Sequence, residues 1–311
     1  MIDSKQPLLE VSDLSVSFKM YEKTLEQKQL QVISNLSLSV KAGEILAVAG
    51  SSGSGKSILA SAILGILPNN ATVEGNLSFN GEAMTPELQR KVRGSEIALV
   101  PQSVAYLDPL MKVGKQVDGH KKPYPIQKRR EIFKRFSLPE NTENLYPFQL
   151  SGGMARRVLV STALISDAKL IIADEPTPGM SLNQAIEALS MFRQMADEGK
   201  GIILITHDID LAFEFADRIA VFYAGTTVEI ASADDFRQGP DTLRHPYSKA
   251  LWRALPQNEF KPILGFQPYA GSIPKGCMFS PRCELRTAEC DAAIPPMKKI
   301  RGGEVRCNHA T

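Results

Sequence analysis

A glycine-rich segment that joins a short apolar run to an apolar helical stretch carries the strongest chemical signal in the chain. It reads Gly50-Ser-Ser-Gly-Ser-Gly-Lys-Ser57 and fits the pattern G-x-x-x-x-G-K-[ST]. Glycines there let the backbone curl so that its N–H groups converge on phosphate oxygens, and the following helix N-terminus adds positive potential. The lysine would reach the β- and γ-phosphates, and the final serine would offer its hydroxyl to Mg²⁺. The residues predicted to contact a nucleotide are Gly50, Ser51, Gly53, Ser54, Gly55, Lys56 and Ser57.

Two carboxylates follow a second short apolar run. Residues 170–173 predict a buried strand, and Asp174 and Glu175 emerge at its end. Asp174 is placed to hold the Mg²⁺ shell, and Glu175 is placed to polarise an attacking water as a general base. An apolar run followed by Asp-Glu often marks only a strand end, but beside a phosphate loop it predicts phosphoryl transfer to water.

Two more polar residues also follow apolar runs. His207 comes after residues 201–206, a position that suggests contact with the γ-phosphate and the attacking water, although a lone histidine is more often structural. Gln102 follows Ile97 to Val100, and a glutamine by itself indicates little.

A second anion-binding turn is predicted about a hundred residues after the first. Ser151, Gly152 and Gly153 precede a helix that is predicted from Ala155. Such a helix start can bind an anion through its free N–H groups. A capping turn without a ligand is the alternative.

The elements that position these residues alternate between strands and helices. Residues 8–18 and 32–49 alternate apolar and polar side chains, and 170–173 and 202–205 read as central strands buried on both faces. Residues 183–198 read as an amphipathic helix between two of these strands. The alternation predicts an α/β fold with a parallel sheet.

Two regions differ from this pattern. Residues 103–166 are mostly helical in pattern, and their basic residues between 121 and 135 are expected to form a solvated face. From about residue 236 the chain gains proline and glycine, which marks a C-terminal extension that holds all four cysteines.

Composition and hydropathy argue against several classes of protein. The net charge of +2 gives no sign of nucleic-acid binding, and none is expected. No run of 18 apolar residues is present, and residues 1–10 lack the apolar core of a signal peptide. We therefore expect a cytoplasmic protein in which disulfides do not form.

Taken together, these motifs closely resemble the ATP-binding subunits of ABC transporters. In that family residues 50–57 are the Walker A loop, 170–175 the Walker B strand and 150–154 the signature, while Gln102 is the Q-loop glutamine and His207 the switch histidine. The resemblance implies a P-loop NTPase with a RecA-like core, an antiparallel β subdomain and a helical subdomain at about 103–166. It implies an ATPase domain over 1–235 and a cysteine-containing extension over 236–311.

The resemblance also implies a set of ligands. ATP and Mg²⁺ would be the cofactors, with Glu175, His207 and Gln102 as catalytic residues. Mg²⁺ would be held by Ser57, Gln102 and Asp174. Phe18 sits where the family keeps the aromatic that stacks on adenine, although a buried core phenylalanine is the alternative.

Partners follow from the same resemblance. Two cassettes of the family dimerise head to tail, so Ser151, Gly152 and Gly153 would serve the partner's nucleotide. Residues 113–116, 245–251 and 276–283 resemble the peptide and nickel importer group. Such systems combine two transmembrane permease subunits, an extracellular substrate-binding protein and two different ATPases. The chain would be peripheral at the cytoplasmic face of the inner membrane and would drive import of di- or oligopeptides, with nickel or a metal chelate as the alternative.

Two other classes of ABC protein compete with this interpretation. Soluble DNA-repair or translation ATPases of the family usually carry two cassettes or a long coiled-coil insertion, and this chain has neither. A non-hydrolysing regulator is a third class, but Glu175 and His207 are both present.

Two positions depart from the family pattern. Ser181 stands where the D-loop usually has aspartate, and Arg156 stands where the segment after the signature usually has glutamine. An unusual D-loop residue could be compensated by a different partner. We therefore expect a heterodimer with a second, related ATPase.

The cysteines form a cluster in the sequence. Their spacing is C-x5-C-x6-C-x16-C, and all four fall within the last 35 residues, at Cys277, Cys283, Cys290 and Cys307. Four thiolates suit either a [4Fe–4S] cluster or zinc, and structural zinc sites commonly use closer pairs. The resemblance to peptide importers favours the [4Fe–4S] cluster, with a structural role in ordering the extension.

Overall fold

The computed structural model of the chain describes residues 6–21, 27–119 and 125–311. Lys121 and Lys122, two of the basic residues expected on a solvated face, lie outside the described residues. Arg129, from the same group, contradicts that expectation because it is buried and pairs with Asp118 and Glu143. A guanidinium taken out of water needs such carboxylate partners.

Strands and helices alternate along most of the chain. The strands are β1 Leu9–Tyr21, β2 Gln27–Val40, β3 Ile45–Gly50, β4 Ala71–Phe79, β5 Glu82–Ala83, β6 Ile97–Val100, β7 Leu170–Asp174, β8 Gly201–Thr206, β9 Arg218–Tyr223, β10 Thr226–Ser232, β11 Lys298–Ile300 and β12 Gly303–Val305. The helices are α1 Lys56–Leu64, α2 Pro86–Val92, α3 Val113–Asp118, α4 Ile126–Arg135, α5 Gly152–Leu164, α6 Leu182–Asp197, α7 Ile209–Phe215, α8 Ala233–Gln238, α9 Pro246–Ala254 and α10 Ala288–Ala292. Short 3₁₀ turns span Val104–Tyr106, Glu140–Asn144, Pro147–Gln149 and Ser280–Arg282.

The main sheet has eight strands in the order β11-β12-β10-β9-β3-β8-β7-β6. Its centre is parallel: β3 pairs with β8 and β9, and β7 pairs with β8 and β6. The parallel sheet predicted from the apolar runs is confirmed. Strands buried on both faces need apolar side chains in succession, which is why these runs do not alternate with polar residues.

Successive side chains of β3 point into two separate hydrophobic cores. Ala47 and Ala49 belong to the core shared with α5 and α6, while Leu46 and Val48 belong to the core shared with α1 and β1. This alternation is the two-residue period of a strand with both faces covered.

A second, four-stranded sheet has the order β2-β1-β4-β5 and is antiparallel throughout. Its inward side chains, among them Leu14, Val16 and Ile33, join the core on the α1 side of the main sheet. The antiparallel subdomain expected from the family resemblance is therefore present.

The C-terminal part of the chain adds strands to the main sheet. Strand β12 pairs with β10, and β11 pairs with β12, so two three-residue strands lengthen the sheet at this edge. Arg306, which is buried, donates to the carbonyl oxygens of Thr227, Pro295 and Asn35. Periodicity fades here because strands of three residues are too short to display it.

Candidate functional site

The polar residues singled out in the sequence follow neighbouring strands of one sheet. Residue 50 ends β3, and His207 follows β8. Asp174 ends β7, Glu175 comes next, and Gln102 follows β6. Because these strands are parallel neighbours, their carboxyl ends meet along one edge of the sheet. Open α/β sheets bind ligands at this kind of edge.

The glycine-rich loop leads directly into helix α1. Gly53 and Gly55 adopt φ angles of 76° and 95°, which L side chains rarely adopt. Helix α1 starts at Lys56, so its free N–H groups lie next to the loop. The loop and the helix start therefore have the backbone form of a phosphate cradle.

Lys56 is the cation of this cradle. Its Nζ donates to the carbonyl oxygens of Gly50, at 2.8 Å, and Ser51, at 3.0 Å. Burial lowers the pKa of Lys56, while the charges of Glu175 and Asp174 oppose that shift. The ammonium group is thus folded back onto its own loop, next to the Walker B carboxylates.

Asp174 has the surroundings of a cation ligand. Burial raises the pKa of its carboxyl group, and a hydrogen bond from Ser57 lowers it. Among the described residues, Asp174 Oδ1 is buried without a hydrogen-bond partner, as is the hydroxyl of Ser54. The Ser57 hydroxyl and the Asp174 carboxylate, one oxygen of which is buried without a partner, form a donor set that fits Mg²⁺.

Glu175 is held in an uncommon backbone conformation. Its φ is 51°, and its N–H donates to the carbonyl oxygen of Ile205 at 2.9 Å. Such left-handed non-glycine residues cluster at functional sites. Glu175 Oε2 lies 2.5 Å from Nδ1 of His207, whose side chain is 64% exposed. The turn therefore directs one carboxylate oxygen at the histidine and fixes both groups at the sheet edge.

Gln102 and Phe18 are placed less distinctively. Gln102 is exposed, two residues after the end of β6. Phe18 lies on β1, is half-buried and packs against the core on the α1 side, so its placement agrees with the alternative of a core phenylalanine. The roles of both residues remain predictions.

The signature segment faces solvent. Ser151 caps helix α5, its hydroxyl accepting from the N–H of Met154, and both Ser151 and Gly152 are exposed. Gly153 approaches another loop, since an added Cβ would lie 3.3 Å from the carbonyl oxygen of Gly179. The unusual Ser181 caps helix α6 in a capping box with Gln184. An exposed helix start is free to meet a ligand carried by another molecule.

Sequence reasoning missed the contact between the extension and the phosphate loop. Ser51 is hydrogen-bonded to Gln267, and it also bonds to Tyr247, whose pKa burial raises to about 12. These residues line a cavity of about 400 Å³ together with His207 and Arg282. In the sequence, the segment 245–251 indicates only a family resemblance, and its tyrosine is the one signal in it for such a contact.

The four cysteines are brought close together. The N–H of Cys277 donates to the carbonyl oxygen of Cys290 at 2.7 Å, and the N–H of His309 donates to Cys307 Sγ at 3.3 Å. Burial, with like charge from the other three cysteines, raises the pKa of Cys307 to about 11. All four thiols are free.

The predicted metal centre is not confirmed by this arrangement. Within the described ranges, no group of three or more histidine, cysteine, aspartate or glutamate side chains is arranged to hold a metal ion. Four free thiols fit a thiolate-bound metal by their chemistry, so the metal centre stays a prediction.

Comparison with known proteins identifies two matching families. Residues 33–178 match the ABC transporter family, and residues 228–290 match the oligopeptide/dipeptide transporter C-terminal region. The second match includes three of the four cysteines and the buried Tyr247.

Curated relatives match over nearly the whole chain. The oligopeptide transport ATP-binding protein OppD of Haemophilus influenzae is 32% identical over 319 aligned positions, which cover 96% of each chain. The dipeptide transport ATP-binding proteins DppD of Escherichia coli and Bacillus subtilis are 34% and 33% identical. Those alignments cover 97% and 93% of this chain, and 96% and 90% of the relatives.

Among solved structures, the chain resembles the dimeric structure of MJ0796, a bacterial ABC transporter cassette. The TM-score is 0.64 at 25% identity, covering 72% of this chain and 98% of the cassette. A post-hydrolysis state of the same cassette, bound to ADP and Pi, gives the same values.

No helix in the described part of the chain is both long and apolar enough to cross a membrane. The matched relatives and the sheet edge that carries the phosphate loop, Asp174 and Glu175 indicate the same family. The chain belongs to the ATP-binding subunits of ABC transporters, as an ATP-hydrolysing protein peripheral to the cytoplasmic side of a membrane.

Proposed function

We propose that this chain powers the import of oligopeptides or dipeptides. The observation that carries the proposal is the match of residues 228–290 to the oligopeptide/dipeptide transporter C-terminal region, in a chain whose phosphate loop and Walker B carboxylates lie at one edge of the main sheet. Relatives named for oligopeptide and dipeptide transport, matched along more than nine-tenths of the chain, support it. These matches favour peptides over the nickel alternative.

The residues of the edge have complementary roles in this proposal. Lys56, now bonded to two carbonyl oxygens of its own loop, exchanges them for phosphate oxygens. Ser57 and Asp174, already joined by a hydrogen bond, would hold Mg²⁺ together with Gln102. ATP supplies the γ-phosphoryl group, and Mg²⁺ supplies the charge that neutralises its oxygens.

Glu175 and His207 act on the attacking water. One oxygen of Glu175 is occupied by Nδ1 of His207, which fixes the orientation of the carboxylate. The other oxygen, Oε1, accepts the proton of the water as general base. The exposed ring of His207 contacts the γ-phosphate and the same water.

The hydrolysing unit in this proposal is a pair of cassettes. Ser151 and Gly152 are exposed at the start of α5, where their N–H groups meet a nucleotide held by the partner. We propose a related but different ATPase as that partner, because Ser181 departs from the D-loop pattern. Hydrolysis by the purified chain should rise when the second ATPase is added. Full activity of the chain as a homodimer would refute the heterodimer and leave the head-to-tail site intact.

Two membrane permease subunits and an extracellular substrate-binding protein complete the proposed importer. The test reconstitutes the complex and measures ATP hydrolysis with binding protein loaded with a defined dipeptide, with nickel, or with nothing. The proposal expects stimulation by the peptide-loaded protein alone. Stimulation only by the nickel-loaded protein would contradict it. Lys56→Ala in this chain serves as the inactive control.

We further propose that residues 236–311 form an extension to an ATPase domain of 1–235 and that its four cysteines hold one metal centre. A [4Fe–4S] cluster is preferred and zinc is the alternative, since all four thiols are free and two of them are buried. Anaerobic purification followed by iron, sulfide and zinc analysis decides between them. Absence of all three elements would refute the proposal.

A further inference from the structure

Arg156 lies in the first turns of the signature helix α5, where the family pattern has glutamine. Its side chain is directed inward, and the residue is only 5% exposed. Its Nη1 donates to the carbonyl oxygen of Pro101 at 3.0 Å, and its Nε donates to the carbonyl oxygen of Pro178 at 3.5 Å. One guanidinium group therefore contacts two other loops of the cassette.

Each of these loops carries part of the hydrolysis machinery. Pro101 immediately precedes Gln102, and Pro178 begins the D-loop, three residues after Glu175. The start of α5 also packs directly on the D-loop, since an added Cβ at Gly153 would lie 3.3 Å from the oxygen of Gly179. The bonds from Arg156 thus join helix α5 to two loops that must act together.

The charge of Arg156 is buried near two carboxylates. Burial lowers its pKa, and the charges of Glu175 and Asp174 oppose that shift. Arginine offers five N–H donors in a rigid planar fork, so it can bond two carbonyl oxygens and still face the carboxylates. Glutamine has two amide donors on a shorter side chain and carries no charge.

We propose that Arg156 is a positioning residue that fixes the distance between the Q-loop and the D-loop and so holds Gln102 and Glu175 in register. This inference rests on the roles proposed above for those two residues. Within the described part of the chain, no hydrogen bond joins Arg156 to the loop 50–57, which would hold the phosphates. Its loss therefore reduces turnover and leaves ATP affinity unchanged.

The test compares Arg156→Gln and Arg156→Lys with the wild type by measuring kcat, KM for ATP and thermal unfolding. Arg156→Gln should lower kcat about tenfold or more, with KM changed less than about twofold, because misplaced catalytic groups mainly affect the chemical step. Arg156→Lys keeps the charge and one donor and should recover part of the loss. If Arg156→Gln does not fold, the intermediate kcat of Arg156→Lys still decides the matter.

Arg157→Gln is the matched control. This neighbouring arginine of α5 is also buried, but it donates to the carbonyl oxygens of Phe136, at 2.7 Å, and Gly153, and not to those of Pro101 or Pro178. Removing its charge should lower thermal stability without the selective loss of kcat. An equal loss of kcat in both variants would mean that any buried arginine of α5 has this effect, and would overturn the inference.

A double-mutant cycle with Gln102→Ala separates positioning from packing. If Arg156 acts through Gln102, the kcat of the double variant should lie within about twofold of the kcat of Gln102→Ala. Fully additive losses, or wild-type kcat for Arg156→Gln, would overturn the inference. Glu175→Gln in the same assay distinguishes failure of the proposed general base from failure of the inference about Arg156. Wild-type turnover by Glu175→Gln would refute the general base. An inactive Glu175→Gln together with a fully active Arg156→Gln would refute only the role of Arg156.

Discussion

The ion pair between Arg244 and Glu229 should be the strongest single attachment of the extension to the cassette. The two side chains are 1% and 0% exposed, and their closest atoms are 3.3 Å apart. Arg244 also reaches Asp235 at 2.9 Å and donates to the carbonyl oxygen of Ile300 at 2.7 Å. We predict that Arg244→Met destabilises the protein strongly, because it leaves the carboxylate of Glu229 buried without its counter-charge.

The magnitude follows from that uncompensated charge. Breaking a fully buried ion pair by removing one partner costs about 3–5 kcal/mol, against about 5–15 kcal/mol for the unfolding of a typical protein. Glu229 also accepts the N–H groups of Arg244 and His245, at 2.9 and 2.8 Å. Glu229→Gln in the Arg244→Met background keeps an oxygen for one of those two donors and removes the charge, so the double variant should recover part of the lost stability.

Urea denaturation of the wild type, both single variants and the double variant measures this coupling. Arg90→Met is the control, since its partner Glu87 is 78% exposed, and such surface pairs contribute about 0–1 kcal/mol. A loss below about 1 kcal/mol in Arg244→Met would refute the reasoning, given the expected cost of a buried unpaired carboxylate. Strictly additive losses in the cycle would refute the pairing.

Two further predictions concern the extension. Burial lowers the pKa of His245 to about 3, so the unfolded chain binds a proton below about pH 6.5 that the folded protein excludes. Stability should therefore fall as the pH drops, by about 2 kcal/mol between pH 7 and pH 5 from this group alone. His245→Asn, which can still cap α9, should show a loss smaller by that amount in denaturation at both pH values; an equal loss would contradict the assignment. Cys283→Ser should abolish metal content and increase proteolysis of the extension while ATP still binds at Lys56, and unchanged metal content would exclude Cys283 as a ligand.

The nucleotide edge could be predicted from the sequence because its signals are local. A phosphate loop needs glycines and lysine at fixed spacing, and the apolar run before Asp174 defines a buried strand by itself. The rule that parallel strands end at one edge then brings His207 beside Glu175. The left-handed conformation of Glu175 was not predictable, because no local pattern distinguishes it from an ordinary strand end.

The remaining features depend on contacts between distant segments. The pairing of β12 with β10 joins Glu304 to Ile230, and no short-range pattern specifies it. The burial of Arg129 could not be predicted because its partner Glu143 lies on a separate turn. The contact of Gln267 with Ser51 likewise joins residues more than two hundred positions apart.

The central claim is that this sheet edge hydrolyses ATP with Glu175 as general base, and Glu175→Gln tests it most directly. ATP affinity and single-turnover hydrolysis are measured for the wild type, Glu175→Gln and Lys56→Ala. We expect Glu175→Gln to bind ATP with near wild-type affinity, to accumulate as a closed dimer and to hydrolyse ATP about a hundredfold or more slowly, because it lacks the general base. Lys56→Ala should lose binding instead. Wild-type turnover by Glu175→Gln would contradict the account.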